Sequence, residues 1–152
     1  MKKSSALSWV LIAVAVLFVA PGLINFVRGP APTPGVFDVG LTLDEALDRS
    51  EREGKPVFVL ATADWCGPCQ TLKRGALADS GVSAWILEYT IPVYLEDGAD
   101  PDEIGVLGVR AYPTSLVIVD GEVVGGMEGA ASAEKYLDGL KGLVPGSEGE
   151  EG

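Results

Sequence analysis

The chain opens on an apolar block without internal periodicity. Trp9 to Ala20 is an unbroken run of twelve apolar residues, and Leu23, Ile24, Phe26 and Val27 extend it past Pro21, Gly22 and Asn25. As a helix, the uncharged stretch from Ser4 to Val27 would rise about 36 Å, against a bilayer hydrocarbon core of about 30 Å. Lys2 and Lys3 precede it and only Arg28 follows closely, so the positive-inside rule places the N-terminus in the cytoplasm and the remainder outside. The expectation is an uncleaved single-pass anchor over residues 1–28, in contact with lipid through residues 6–27. A cleaved signal peptide shares the basic start and apolar core. A cut after Ala20, however, puts Phe18 where a small residue is wanted and Pro21 just past the scissile bond. An all-round apolar helix of a soluble core is the remaining alternative.

Beyond the anchor the pattern changes. Residues 29–35, Gly-Pro-Ala-Pro-Thr-Pro-Gly, have the alternate prolines of an extended spacer at about 3.1 Å per residue. Thr42-Leu43-Asp44-Glu45 is a capping-box pattern opening a helix that stops near Gly54. Pro56 to Ala61 is continuously apolar, as in a strand covered on both faces. Helical signals follow from Gly67 to about Ala78 and over 82–88, then a strand from Ile91 to Glu96 and a helical turn from Asp102 to Leu107. Asp120-Gly121 between Leu116–Val119 and Glu122–Gly126 is a hairpin signal, and Ser132 caps a last helix to about Leu143. This order predicts an α/β domain over 36–144, with helices flanking a central mixed sheet, and an acidic disordered tail over 145–152.

Charge and composition narrow the chemistry. Residues 30–152 hold 8 of the 11 Lys and Arg and all 22 Asp and Glu, a net charge of −14, which excludes a nucleic-acid-binding surface. The chain has no His, so Ser-His and Cys-His catalysis and His-ligated zinc are excluded. Its two cysteines, Cys66 and Cys69, stand three residues apart between the buried strand and a helix. A ring this small stabilises by only about 2 kcal/mol in the chain-entropy account, so a purely structural disulfide gains little. Structural zinc wants four ligands where two exist. Cu(I) suits two soft thiolates and makes a metallochaperone an alternative, although no Met or His adjoins the pair.

Redox catalysis fits this pair best. An ordinary Cys is only about 3% thiolate at pH 7, and lowering its pKa by about 1.5 units takes roughly 2 kcal/mol, the upper limit of what a helix N-terminus supplies. Cys66, first in the helix, is expected to attack, helped by hydrogen bonds from free backbone N–H groups and the Cys69 thiol; Cys69 then resolves the mixed disulfide. Asp64 and the negative background oppose that ionisation.

At these residues the sequence resembles the thioredoxin family. Asp64-Trp65-Cys66-Gly67-Pro68-Cys69 is similar to its active-site signature, and Val109-Arg110-Ala111-Tyr112-Pro113-Thr114 to its second motif. Asp120-Gly121 and Gly129 agree in spacing, and the likeness covers most of residues 40–144. The resemblance implies a thioredoxin-like fold and thiol-disulfide oxidoreductase activity. It implies a cis Pro113 beside the cysteines, with the Tyr112 backbone pairing to an extended substrate. Trp65 would line the substrate-facing rim, unless it is plain core, and Arg110 would be the cation nearest Cys66, unless it is an ordinary exposed charge. Gly67-Pro68 resembles the reducing members. The family's fast reductases carry a buried acid where this chain has Leu60, so either Asp64 or Glu96 relays the Cys69 proton through water or the second step is slower. With the anchor, the chain looks most like exported, membrane-tethered members. The partners then expected are disulfide-containing exported proteins and a membrane reductant transporter as electron donor, with no bound cofactor. A disulfide oxidase or isomerase on the same fold is the alternative direction.

Overall fold

The structure is a computed structural model that describes residues 9–14, 16, 29–38 and 40–147. Residues 1–30 and 31–152 form two compact units. In the first, residues 9–14 and 16 are helical, and Trp9, Val10, Leu11 and Ile12 are exposed. Most of the expected anchor lies outside the described residues, and among the described ones no helix is long and apolar enough to cross a membrane.

The second unit runs α1 (Leu43–Glu53), β1 (Val57–Thr62), α2 (Gly67–Arg74), a 3-10 turn (Ala76–Ala78), α3 (Ser80–Tyr89), β2 (Ile91–Glu96), α4 (Pro101–Val106), β3 (Thr114–Val119), β4 (Glu122–Glu128) and α5 (Ala133–Leu143). The four strands make one mixed sheet in the order β2-β1-β3-β4. β1 lies parallel to β2, with Leu60 opposite Tyr94 and Thr62 opposite Glu96, and antiparallel to β3. β3 and β4 form the expected hairpin, its turn made by Asp120 and Gly121, both at positive φ (51° and 79°), as a tight two-residue connection requires.

All six residues of β1 are buried, because successive side chains enter different cores. Phe58 and Leu60 join Leu72, Leu77, Trp85, Ile86, Val117, Tyr136 and Leu140 on the face covered by α2, α3 and α5. Val57, Val59 and Ala61 join Leu43, Ala46, Val93, Leu95, Ile104 and Ile118 on the face covered by α1 and α4. α1 begins with the capping box at Thr42 and Glu45, and Gly54 closes it in a left-handed conformation.

Local chemistry shifts several boundaries. The helix expected to reach Ala78 ends at Arg74, and the 3-10 turn follows, because the backbone leaves helical angles at Gly75 (φ −102°, ψ −102°). There a Cβ would meet the Thr71 carbonyl oxygen at 2.8 Å. Ser132 occupies the cap position of α5, but its hydroxyl makes no capping hydrogen bond. The spacer expected over 29–35 is pinned to the domain at two points, Ala31 and Pro34, while Pro32, Thr33 and Gly35 are exposed. Ala31 is buried and its N–H donates to Gln70 Oε1, while Pro34, Val36 and Phe37 are buried too, Phe37 edge-on to Tyr94 with centroids 5.5 Å apart. At the other end the Ser147 hydroxyl donates to the carbonyls of Lys141 and Val144, so the packed chain reaches at least residue 147. The rest of the expected tail, 148–152, lies outside the described residues.

Candidate active site

The loop after β1 delivers Cys66 to the cap of α2. With Cys66 extended (φ −84°, ψ 113°), its Sγ accepts the Cys69 N–H at 3.1 Å, while Gly67 and Pro68 occupy the first turn, where a missing N–H costs nothing. A sulfur in the cap position meets one of the unpaired N–H groups that every helix start leaves over. Cys66 and Cys69 are joined as a disulfide, their Cα atoms 5.2 Å apart, and of the two Cys66 is nearer solvent, 5% against 0% exposed.

The loop before β3 lies against the pair. Its Tyr112–Pro113 peptide is cis, Pro113 is buried, and Tyr112 packs on Ala63, Cys66 and Cys69. The Tyr112 carbonyl oxygen is 3.4 Å from Cys66 Sγ, positioned to accept from the thiol once the disulfide is reduced. Trp65 is 75% exposed, which excludes the core reading. Its ring meets Tyr112 edge-on with centroids 5.9 Å apart, and both side chains hydrogen-bond Asp97: Trp65 Nε1 donates to Oδ2 at 3.3 Å, the Tyr112 hydroxyl to Oδ1 at 2.7 Å. That bond, with lesser contributions from burial and the nearby acids, pushes the Tyr112 hydroxyl pKa up to about 12, so it remains a donor at physiological pH. Asp97 escaped the sequence reading, because its role depends on two aromatic donors brought in from separate loops.

Beneath α2 lies a polar ring. Lys73 has only 1% of its side chain exposed; its Nζ donates to Asp64 Oδ1 at 3.2 Å and to the Tyr94 hydroxyl at 3.0 Å. The Tyr94 hydroxyl donates to Glu96 Oε2 at 3.4 Å, and Glu96 Oε1 accepts the Asp64 N–H at 2.8 Å. Burial pushes the Lys73 ammonium pKa down, but Tyr94 and Asp64 more than reverse it, leaving it above the ordinary lysine range. Burial raises the Glu96 carboxyl, against the lowering effect of the Asp64 N–H. Asp64 and Glu96, the two residues considered for the Cys69 proton, are thus linked through the Asp64 N–H, while the Asp64 carboxylate itself pairs with Lys73. The buried cation is Lys73; Arg110 is exposed and forms no ion pair among the described residues. The signal for Lys73 was its spacing: with Cys69 and Leu72 it falls on the buried stripe of α2 at i, i+3, i+4. Among the described residues no group of three or more His, Cys, Asp or Glu is gathered to hold a metal.

A capped Cys-Gly-Pro-Cys pair facing a cis proline on this sheet order coincides with a match to the family model described as thioredoxin-like, over residues 39–120. The chain belongs to the thioredoxin-like family. It is 30% identical over 106 residues to the thioredoxin-like protein slr1139 of Synechocystis, covering 66% of this chain and 92% of that one. It is also 30% identical over 120 residues to thiol:disulfide interchange protein DsbD 1 of Pseudomonas aeruginosa; this covers 70% of the chain but only 20% of that longer protein. Among solved structures, a thioredoxin from Thermus thermophilus superposes with a TM-score of 0.61 at 24% identity, over 71% of this chain and 89% of that one. As a thioredoxin-like protein with both cysteines of the pair present and close enough to form a disulfide, the chain is a thiol-disulfide oxidoreductase.

Proposed function

We propose that this thioredoxin-like protein is tethered to a membrane by residues 1–28, faces the periplasm or cell exterior, and reduces disulfides in exported proteins. The observation that carries the reading is Cys66-Gly67-Pro68-Cys69 capping a helix in a chain whose N-terminus is a long uncharged apolar run. In the forward direction the Cys66 thiolate attacks one sulfur of a substrate disulfide, forming a mixed disulfide and releasing the other sulfur as thiolate. Cys69 then loses its proton and attacks Cys66 Sγ; the Cys66–Cys69 disulfide forms, and the second substrate sulfur leaves. Two electrons pass to the substrate. The Tyr112 main chain, beside cis Pro113, pairs with the extended substrate, and Trp65 borders it.

Each turnover leaves the protein oxidised, so a dithiol donor must restore it, and for an exported domain a membrane reductant transporter meets that need. Substrates consistent with this place include cysteines held reduced for haem or copper. Similarity to a protein named for thiol:disulfide interchange supports the chemistry, and Gly67-Pro68 supports the reducing direction. The test is the reduction potential of the full chain: near −270 mV is expected for a reductant, whereas a value near −120 mV would make it an oxidant. Membrane-fraction recovery and external protease sensitivity of intact cells check the topology.

A further inference from the structure

The main electrostatic objection to a thiolate at residue 66 is Asp64, a carboxylate two residues before it in a chain of net charge −11. The structure answers this with Lys73. Helical side chains lean toward the N-terminus of their own helix, and Lys73 follows that direction until its Nζ reaches past the first residue of α2 to Asp64 Oδ1, 3.2 Å away. Tyr94 and Glu96 close the ring back to the Asp64 N–H, so Asp64 is held by its side chain and its backbone together. The ammonium is sealed from solvent while Asp64 remains half-exposed, with 57% of its side chain accessible. A buried charge without a partner is costly, so Lys73 holds this one carboxylate in place instead of sampling the surface.

We propose that Lys73 is a positioning residue for thiol-disulfide exchange: by pairing with Asp64 it neutralises the carboxylate closest in sequence to Cys66 and lets that sulfur hold negative charge near neutral pH. The ammonium is faced by Asp64 from the loop before α2 and by Tyr94 and Glu96 from β2. Arg74 adjoins it on α2, and residues 31–35 alongside bring no charge. The sulfur is faced by Cys69 and by Tyr112, whose hydroxyl is tied to Asp97. Of these groups, Lys73 is the cation placed to offset Asp64. The inference rests on Cys66 being the attacking thiol.

The test is iodoacetamide alkylation of the reduced full chain across pH 5 to 10, with the modified cysteine mapped by mass spectrometry. In the wild type Cys66 is alkylated first. Lys73→Met moves the Cys66 profile to higher pH, slowing alkylation about three- to tenfold at pH 6.5, since each unit is tenfold in thiolate fraction below the midpoint, and converges with wild type above pH 9.5. Asp64→Asn moves it the opposite way, and the double variant returns close to wild type. Asp64 is on the surface, so its variant preserves the test should Lys73→Met not fold. Unmoved profiles, or both single variants shifting in the same direction, overturn the role of Lys73 while leaving Cys66 as nucleophile. First alkylation at Cys69 overturns both.

Discussion

The two faces of the sheet are built from the same strands but to different rules. The face under α1 and α4 is predominantly apolar, with Val57, Val59, Ala61, Val93 and Leu95 meeting Leu43, Ala46 and Ile104. The face under α2, α3 and α5 is equally well buried, yet it admits Lys73, Tyr94 and the Ser115–Tyr136 hydroxyl pair, bonded at 2.6 Å. Lys73 is on the inner side of the helix that begins at the disulfide, and Tyr94 lies on the strand beneath it. Burying polar groups contributes little stability compared with apolar packing and is penalised if any partner is lost. Their concentration on one face therefore marks where the molecule trades packing for chemistry.

The contrast can be broken most completely at Cys66. Cys66→Ser should abolish reduction of a protein disulfide, by a factor of a thousand or more in turnover with dithiothreitol as donor, and leave the circular-dichroism spectrum unchanged. On the dry face, Leu95→Ala should cost about 2–5 kcal/mol in urea unfolding while the pH profile of thiol alkylation stays in place; a shifted profile would mean that the two faces are not separable. Tyr112→Phe removes the hydroxyl from Asp97 at the site's rim. The expectation is a loss of about 1 kcal/mol and a several-fold higher KM with kcat nearly unchanged, read from steady-state kinetics.

The smallest effect is in pH. The folded state raises the Lys73 pKa, so this lysine's stabilisation is complete below the unfolded value of about 10.4 and is lost as pH rises through the folded one. Unfolding free energy should accordingly fall more steeply above about pH 10 in the wild type than in Lys73→Met. Parallel curves would show that Lys73 adds nothing to the slope.

The apolar framework shared by both faces was the legible part. Apolar runs such as Pro56–Ala61, the capping box at Thr42 and the Asp120-Gly121 turn act through local chemistry, which a linear pattern displays, and the helix and strand order followed from them. The two cysteines and the proline motif were readable for the same reason. The ring beside α2 was not, because its members come from three separate parts of the chain, Asp64 from the loop before α2, Lys73 from α2, and Tyr94 and Glu96 from β2, and meet only after the sheet forms. Within the expected spacer, Ala31 and Pro34 misled for a related reason: alternate prolines specify an extended backbone, but not whether that backbone is free or laid against a core, as these two residues are.

Trapping the first covalent intermediate tests the account most directly. Incubated reduced with a disulfide-containing protein, the Cys69→Ser variant should accumulate a mixed disulfide mapped to Cys66 and stable until a dithiol is added. Failure to form that adduct, or undiminished turnover without Cys69, would contradict the two-cysteine mechanism.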